Sequence, residues 1–147
     1  FETLVDPADV ADAQLRCSQA AILDQEVAGI DIISSGELYR RSHNRHAPLH
    51  SMLNYFWSKL PGFAHELVGP ELIVRPRALT PKDPRILHPA ATCIGPITQA
   101  DLGLVEEYER VKANARSPEN VKVTVTGPHT LATLAFDDYY HDVRRMM

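Results

Sequence analysis

A short apolar run that directly follows a helical pattern places the strongest constraint on the fold. Residues 30–34, Ile-Asp-Ile-Ile-Ser, are largely β-branched and lie between Gly29 and Gly36, as is typical of a buried strand in a parallel sheet. The preceding helix is predicted to begin at Asp6 and Pro7 and to end at Gly29, which can adopt the left-handed conformation at low cost. A helix that leads into such a strand indicates an α/β fold.

A second helix and strand follow in the same order towards the end of the sequence. Four apolar residues of this helix recur at i, i+4, i+7 and i+11: Leu104, Tyr108, Val111 and Ala115. The charged residues between them, including Glu107, are expected to face away from this stripe. An alternating run at 121–125 predicts the second strand, which Thr126-Gly127-Pro128 ends. The apolar residues between Leu131 and Met146 predict one last helix.

The stretch between these two pairs, residues 38–99, is rich in proline and is not one regular element. It contains eight of the eleven prolines of the chain. The run Tyr55-Phe56-Trp57 and the apolar residues 72–74 supply surface for local packing, so we expect an ordered insertion with short elements. Three histidines in it have spacings that zinc sites use: His43, His46 and His50. No acidic or thiol ligand completes the set nearby, which favours a solvated loop.

Charge and composition argue against two classes of partner. The 147 residues have a net charge of −4 without a basic stripe, which speaks against nucleic-acid binding. No apolar run approaches the roughly 18 residues of a membrane-spanning helix, and no signal peptide is recognisable. Cys17 and Cys93 belong to no C-x-x-C pair and fit reduced thiols, Cys17 as a small core residue on the apolar face of the first helix. The sequence therefore predicts a folded cytoplasmic protein.

Two motifs carry a resemblance to a known family. Residues 25–37, QEVAGIDIISSGE, followed by Arg40, resemble the segment Q-E-x-x-G-L-D-V-x-x-x-G-E of the cobalamin-independent methionine synthases. Residues 122–131, KVTVTGPHTL, are similar to K-x-x-x-T-G-P-x-T-L of the same family. The order of the motifs and their separation of about 90 residues agree with the helix–strand pattern.

The resemblance implies a fold and a reaction. These synthases share the (β/α)8 TIM-type barrel with uroporphyrinogen decarboxylases. Residues 1–147 are therefore expected to be an incomplete α/β segment of one such domain, about two βα units plus the proline-rich insertion. The family transfers a methyl group from a reduced folate to the thiol of homocysteine, which zinc holds as a thiolate. The family's zinc ligands come from later strands, so none is expected on this chain.

The resemblance also implies six substrate contacts: Gly36, Glu37, Arg40, Thr126, Gly127 and Pro128. Glu37 would follow the C-terminal end of a strand, where a carboxylate can pair with the ammonium group of the substrate. The alternative for Glu37 is a residue in the first turn of a helix, stabilised by the helix dipole. Arg40 is either a substrate contact or a structurally paired residue, and residues 126–128 either line the site or form a plain turn. No residue is assigned as catalytic.

Departures from the family leave several functions open. Leu134 stands where the synthases carry a tryptophan that stacks on the folate, and residues 87–97 do not reproduce their basic R-x-x-K-P-P run. The alternatives are another methyl donor, a zinc-free enzyme of the uroporphyrinogen decarboxylase type, and a non-catalytic truncated module. The expected partners are a small-molecule thiol, a methyl donor and the remainder of the barrel, without which the chain is expected to be inactive.

Overall fold

A computed structural model describes residues 7–40, 51–64, 74–80 and 83–147. The elements, in chain order, are α1 (Pro7–Val27), a 3-10 turn (Leu38–Arg40), α2 (Ser51–Lys59), β1 (Val74–Thr80), β2 (Asp83–Cys93), α3 (Leu104–Asn114), α4 (Pro128–Leu134), β3 (Phe136–Asp137) and α5 (Val143–Met146). Several residues of the sequence predictions lie outside the described ranges: Asp6, His43, His46, His50 and residues 72–73.

The chain divides into two compact units. The first unit consists of Phe1–Tyr39 and Gly103–Thr124, and the second consists of Arg40–Leu102 and Val125–Met147. Within the four described ranges, none of the helices combines the length and the apolar character that crossing a bilayer requires.

In the first unit, α1 ends where the sequence predicts, but a different face of it is buried. Gly29 is left-handed at φ 75°, and the N–H of Ile30 donates to the carbonyl of Gln25 at 3.0 Å. Ser18 and Ile22, which are four residues apart, are buried, whereas Cys17 is exposed. The expectation that Cys17 is a core residue is therefore wrong. The alanine-rich stripe around it offers little apolar area, so the larger Ile22 determines which face is buried.

The two predicted strands of the first unit pair in parallel, over a shorter length than the sequence predicts. Ile33 pairs with Val121, and the N–H of Lys122 donates to the Ile33 carbonyl at 2.9 Å. This pair is one isolated bridge, while Ile30 and Ile32 are 50% and 52% exposed. The runs at 30–34 and 121–125 are thus neighbours, as predicted, but the first is not a strand buried along its whole length. The core beneath the bridge consists of Ile22, Ile33 and Val111.

The second unit shows that the proline-rich insertion contains ordered short elements, as predicted. β1 and β2 form an antiparallel pair, and β3 adds to β2 in parallel, with Thr92 opposite Phe136. Trp57 is fully buried, and its indole N–H donates to the carbonyl of Leu131 at 3.3 Å. Its ring lies 6.2 Å from that of Phe63, which is also buried. The aromatic run therefore supplies the local packing that was expected of it.

The prediction of one last helix is wrong, because the segment forms α4, β3 and α5 instead. Phe136 and Asp137 leave the helix to pair with β2. The Asp137 carboxylate then accepts the N–H groups of Tyr139 at 3.2 Å, Tyr140 at 2.7 Å and Asp142 at 2.9 Å. A side chain that accepts several nearby backbone N–H groups stabilises a turn at the expense of helix. The apolar residues keep helical spacing through this segment, and that spacing predicted a helix. The Asp137 carboxylate stabilises a turn there instead.

We predict that Asp137→Ala lowers the free energy of unfolding by roughly 1–2 kcal/mol, the usual cost of removing a side chain that caps backbone N–H groups. Burial acts to raise the pKa of Asp137, but the N–H donors of Tyr140, Asp142 and Tyr139 outweigh it, so the net pKa is lowered. A lowered pKa means that the ionised form stabilises the fold, and that this contribution disappears as pH falls through the lowered value. Urea unfolding across acidic pH measures it.

Asp137→Asn is the matched variant, since its one carbonyl oxygen keeps part of the acceptor capacity without the charge. It should lie between the wild type and Asp137→Ala at neutral pH. A stability difference between wild type and Asp137→Ala that grows as the pH is lowered would contradict the assignment.

Candidate functional site

The candidate site in the first unit is the turn that follows Ile33. Gly36 and Glu37 are both left-handed, at φ 72° and 59°. This conformation is uncommon for a residue with a side chain and costs about 1 kcal/mol. The N–H of Glu37 donates to the Ser35 hydroxyl at 3.0 Å, and the N–H of Gly36 lies 3.4 Å from the Ser34 hydroxyl. The two hydroxyl acceptors therefore stabilise the turn. The Glu37 side chain is half-buried.

The turn lies directly against α1. A Cβ atom at Gly36 would be 2.8 Å from the Cβ of Ala21, a distance that real Cβ atoms do not show. Gly36 is thus required by its φ and by its neighbour, which explains the glycine of the motif in physical terms.

Below the turn lies a buried polar pair that the sequence analysis missed. The Ser35 hydroxyl donates to Oε1 of Glu107 at 2.7 Å, and both side chains are 2% exposed. The expectation that Glu107 faces away from the core is therefore wrong. Glu107 is three residues after Leu104 and four before Val111, so it shares their helix face. That spacing could have predicted the burial of Glu107, but the charge of its side chain favoured an exposed position.

The electrostatics of Glu107 follow from this placement. Burial raises the pKa of its carboxyl, the hydrogen bond from Ser35 lowers it, the Glu37 carboxylate raises it and Arg110 lowers it. The net result is a raised pKa. The guanidinium of Arg110 lies 5.8 Å from the ring centroid of Tyr39, so α3 approaches the turn region with two charged side chains.

The first two residues of the first motif have structural roles. The Gln25 amide donates to the Ser34 carbonyl at 2.9 Å and accepts the Ser34 N–H at 3.0 Å. Oε1 of Glu26 accepts the N–H of Arg116 at 2.7 Å, and Oε2 lies 3.3 Å from its guanidinium. Together they tie the end of α1 to the segment before the turn and to the segment after α3.

In the second unit, two of the predicted contacts line a cavity. Gly127 caps α4 in an extended conformation, and Pro128 occupies its first turn. Thr126 and Pro128 line a cavity of about 260 Å³ whose other walls are mainly apolar, with Phe63 and Leu131 among them. A Cβ at Gly127 would meet nothing within 4 Å, so packing does not require a glycine there.

Arg40 lies in the second unit and is packed against aromatic rings. Its side chain is buried, with the guanidinium carbon 5.2 Å from the Phe56 ring centroid and 5.6 Å from that of Tyr55. One guanidinium nitrogen lies 3.7 Å from the Met52 sulfur. This surrounding agrees with the structurally paired alternative for Arg40, and its contact with a substrate stays a prediction.

The donor atoms that the described residues bring together do not fit a zinc ion. Within these ranges, no group of three or more His, Cys, Asp or Glu side chains is arranged to hold a metal. Cys93 is buried, burial raises the pKa of its thiol, and the thiol donates to the carbonyl of Gly95 at 3.3 Å. Cys17 is exposed on α1. Neither cysteine lies in a ligand cluster.

Comparisons with known proteins agree with the motifs. The chain is 30% identical over 132 residues to the methionine synthase of Thermococcus kodakarensis and 31% identical over 134 residues to that of Pyrococcus furiosus. These alignments cover 90% and 91% of this chain. These similarities support a fragment of the cobalamin-independent methionine synthase family. The chain spans about a third of the length of these relatives. No family model matches it.

The fold supports the same relationship. A solved B12-independent methionine synthase from Shewanella sp. W3-18-1, in complex with selenomethionine, superposes with a TM-score of 0.71 at 19% identity. The match covers 97% of this chain and 36% of that one. The fold of this chain is thus similar to part of that methionine synthase.

Gly36→Ala is predicted to destabilise the chain more than Gly29→Ala. Both glycines are left-handed, at φ 72° and 75°, so the backbone cost of alanine is similar. Only at Gly36 does the new methyl meet Ala21, and we expect an additional loss of roughly 1–3 kcal/mol from overpacking. Adding Ala21→Gly to Gly36→Ala should recover part of it in urea unfolding. Equal losses at the two glycines would show that the contact is unimportant.

Glu107→Gln is predicted to gain stability relative to the wild type as pH rises. Because the pKa of Glu107 is raised on folding, the protonated form is the one compatible with the fold, and the wild type loses stability as pH rises through that raised pKa. Glutamine can still accept the Ser35 hydroxyl without the buried charge. Urea unfolding at a series of pH values measures the difference, with the exposed Glu106→Gln as the control that should show none. A Glu107→Gln variant that becomes relatively less stable with rising pH would refute this electrostatic account.

Proposed function

We propose that the chain forms part of the substrate site of a methionine synthase-like enzyme, which transfers a methyl group from a reduced folate, or another methyl donor, to a thiol such as homocysteine. The observation that carries the proposal is the left-handed turn at Gly36 and Glu37, which begins three residues after Ile33, the residue that pairs in parallel with Val121. A half-buried carboxylate at such a position can pair with the ammonium group of an amino acid.

We infer that residues 1–147 are a segment of one (β/α)8 TIM-type barrel domain. Two observations support it: the parallel pairings of Ile33 with Val121 and of β2 with β3, and the likeness in fold to a B12-independent methionine synthase. Barrel enzymes bind substrates in the loops that follow the C-terminal ends of the strands. The segment after Ile33 and residues 126–128 follow the two runs predicted as strands.

Glu37 has a defined role in this proposal. Its carboxylate binds the substrate's ammonium group and so orients the thiol, while Gly36 allows the turn that presents it. The relative from Shewanella supports an amino-acid ligand, since its structure contains selenomethionine. Thr126, Gly127 and Pro128 stay predicted substrate contacts, and Thr126 and Pro128 line a mainly apolar cavity of the second unit. The donors among the described residues do not form a zinc site, so we infer that the ligands of a zinc ion belong to the remainder of the barrel.

Glu37→Gln is predicted to reduce kcat/KM for homocysteine about 10- to 100-fold in the complete gene product, the usual range for losing a hydrogen bond to a charged group. A thiol of the same length that lacks the amino group should react equally well with both proteins, because it has no ammonium for Glu37 to bind. Methyl transfer to the two thiols is measured by steady-state kinetics.

Glu106→Gln serves as the matched control, because it removes one exposed carboxylate from the same unit without touching the turn. If the Glu37→Gln variant lost activity equally towards both thiols, Glu37 would not recognise the amino group. No methyl transfer to any thiol by the wild-type gene product would remove the transferase proposal and favour a zinc-free decarboxylase or a non-catalytic role.

A further inference from the structure

The buried Ser35–Glu107 pair lies one hydrogen bond away from the backbone of Glu37. We propose that Glu107 is a positioning residue, which fixes the Glu37 backbone through the Ser35 hydroxyl and thereby directs the Glu37 carboxylate towards the amino group of the substrate. This inference rests on the proposed role of Glu37.

The direction of the hydrogen bonds makes Ser35 a relay. Its hydroxyl oxygen accepts the N–H of Glu37 at 3.0 Å, and the hydroxyl has one proton to donate. That proton is directed to Oε1 of Glu107 at 2.7 Å. A hydroxyl that donates to a carboxylate becomes a better acceptor, so the two bonds strengthen each other. Glu107 therefore acts on the Glu37 backbone although the two residues are 70 positions apart in the sequence.

The burial of Glu107 shows that packing alone does not explain this side chain. It is 2% exposed, and it lies one helical turn before Val111, a residue of the apolar core. Burying a carboxyl carries a desolvation cost that an apolar residue at the same position avoids. The fold bears this cost at a position of α3 from which the carboxylate accepts the Ser35 hydroxyl.

The left-handed conformation of Glu37 is what the relay stabilises. A left-handed residue with a side chain relaxes towards the ordinary regions of φ and ψ unless neighbouring groups fix it. Any such change rotates the Cα–Cβ bond and swings the carboxylate away from its direction. Loss of the Ser35 acceptor should therefore release the Glu37 backbone first and impair amino-group recognition as a result.

Three variants of the complete gene product test the relay: Ser35→Ala, Glu107→Leu and Glu107→Gln. Ser35→Ala removes the hydroxyl, Glu107→Leu removes its acceptor with an apolar side chain of similar size, and Glu107→Gln keeps an acceptor oxygen. Glu106→Leu on the exposed side of α3 is the control. Two quantities are measured, namely deuterium uptake of peptides that contain Glu37, and KM and kcat for homocysteine and for the thiol without an amino group.

Ser35→Ala and Glu107→Leu are expected to speed exchange of the Glu37 amide and to raise KM for homocysteine about tenfold, the effect of losing one hydrogen bond of about 1.4 kcal/mol. They should leave kcat and the KM of the thiol without an amino group close to wild type. Glu107→Gln should retain slow exchange and the wild-type KM. A general loss of structure would instead impair methyl transfer to both thiols together. In that case the Ser35→Ala variant decides, because it changes the side chain less than Glu107→Leu does.

Wild-type exchange and wild-type KM in both Ser35→Ala and Glu107→Leu would overturn the inference, as would a Glu107→Gln variant as impaired as Glu107→Leu. Failure of the proposed function has a different signature. If Glu37→Gln does not discriminate between the two thiols while Ser35→Ala still speeds Glu37 exchange, the relay exists and the substrate role of Glu37 is wrong.

Discussion

The main-chain pairing of Ile33 with Val121 is the constraint on which the candidate site depends. It fixes the residue at which extended structure ends, and so the point at which Gly36 and Glu37 begin to turn. The Gln25 amide reinforces it by binding both backbone groups of Ser34, much as a neighbouring strand would. Because a shift of one residue in an extended segment reverses the direction of every side chain, this register decides that Ser35 points inward to Glu107.

Local features of the sequence were predictable where they depend on local physics. The end of α1 at Gly29 follows from the conformational freedom of glycine, and the turn at Gly36 follows for the same reason. The parallel pairing of the two β-branched runs was also predictable, because strands that alternate with helices along the sequence are typical of parallel sheets. Their length was not, since the exposure of Ile30 and Ile32 depends on which segments of the fold cover them.

Features that depend on a partner distant in sequence were missed. The burial of Glu107 requires Ser35, and the break between α4 and α5 requires β2 as a partner for Phe136. A helical pattern records where apolar side chains recur, but it does not record which polar side chains have a partner in the core. The motif match has a similar limit: Gln25 and Glu26 match the family and form structural hydrogen bonds in this chain, so the resemblance is evidence of fold before it is evidence of chemistry.

One face of α3 links the stability of the first unit to its proposed chemistry. Glu107 and Val111 are four residues apart, so the same side of the helix supplies both the relay and the apolar core with Ile22 and Ile33. A helix rises about 1.5 Å per residue, whereas a hydrogen bond weakens steeply over a few tenths of an ångström. Core packing that positions Val111 therefore also determines whether the Glu107 carboxylate reaches Ser35. Substitutions in this core should thus affect the Glu37 turn before they unfold the unit, because the relay depends on the placement of α3 more sharply than burial does.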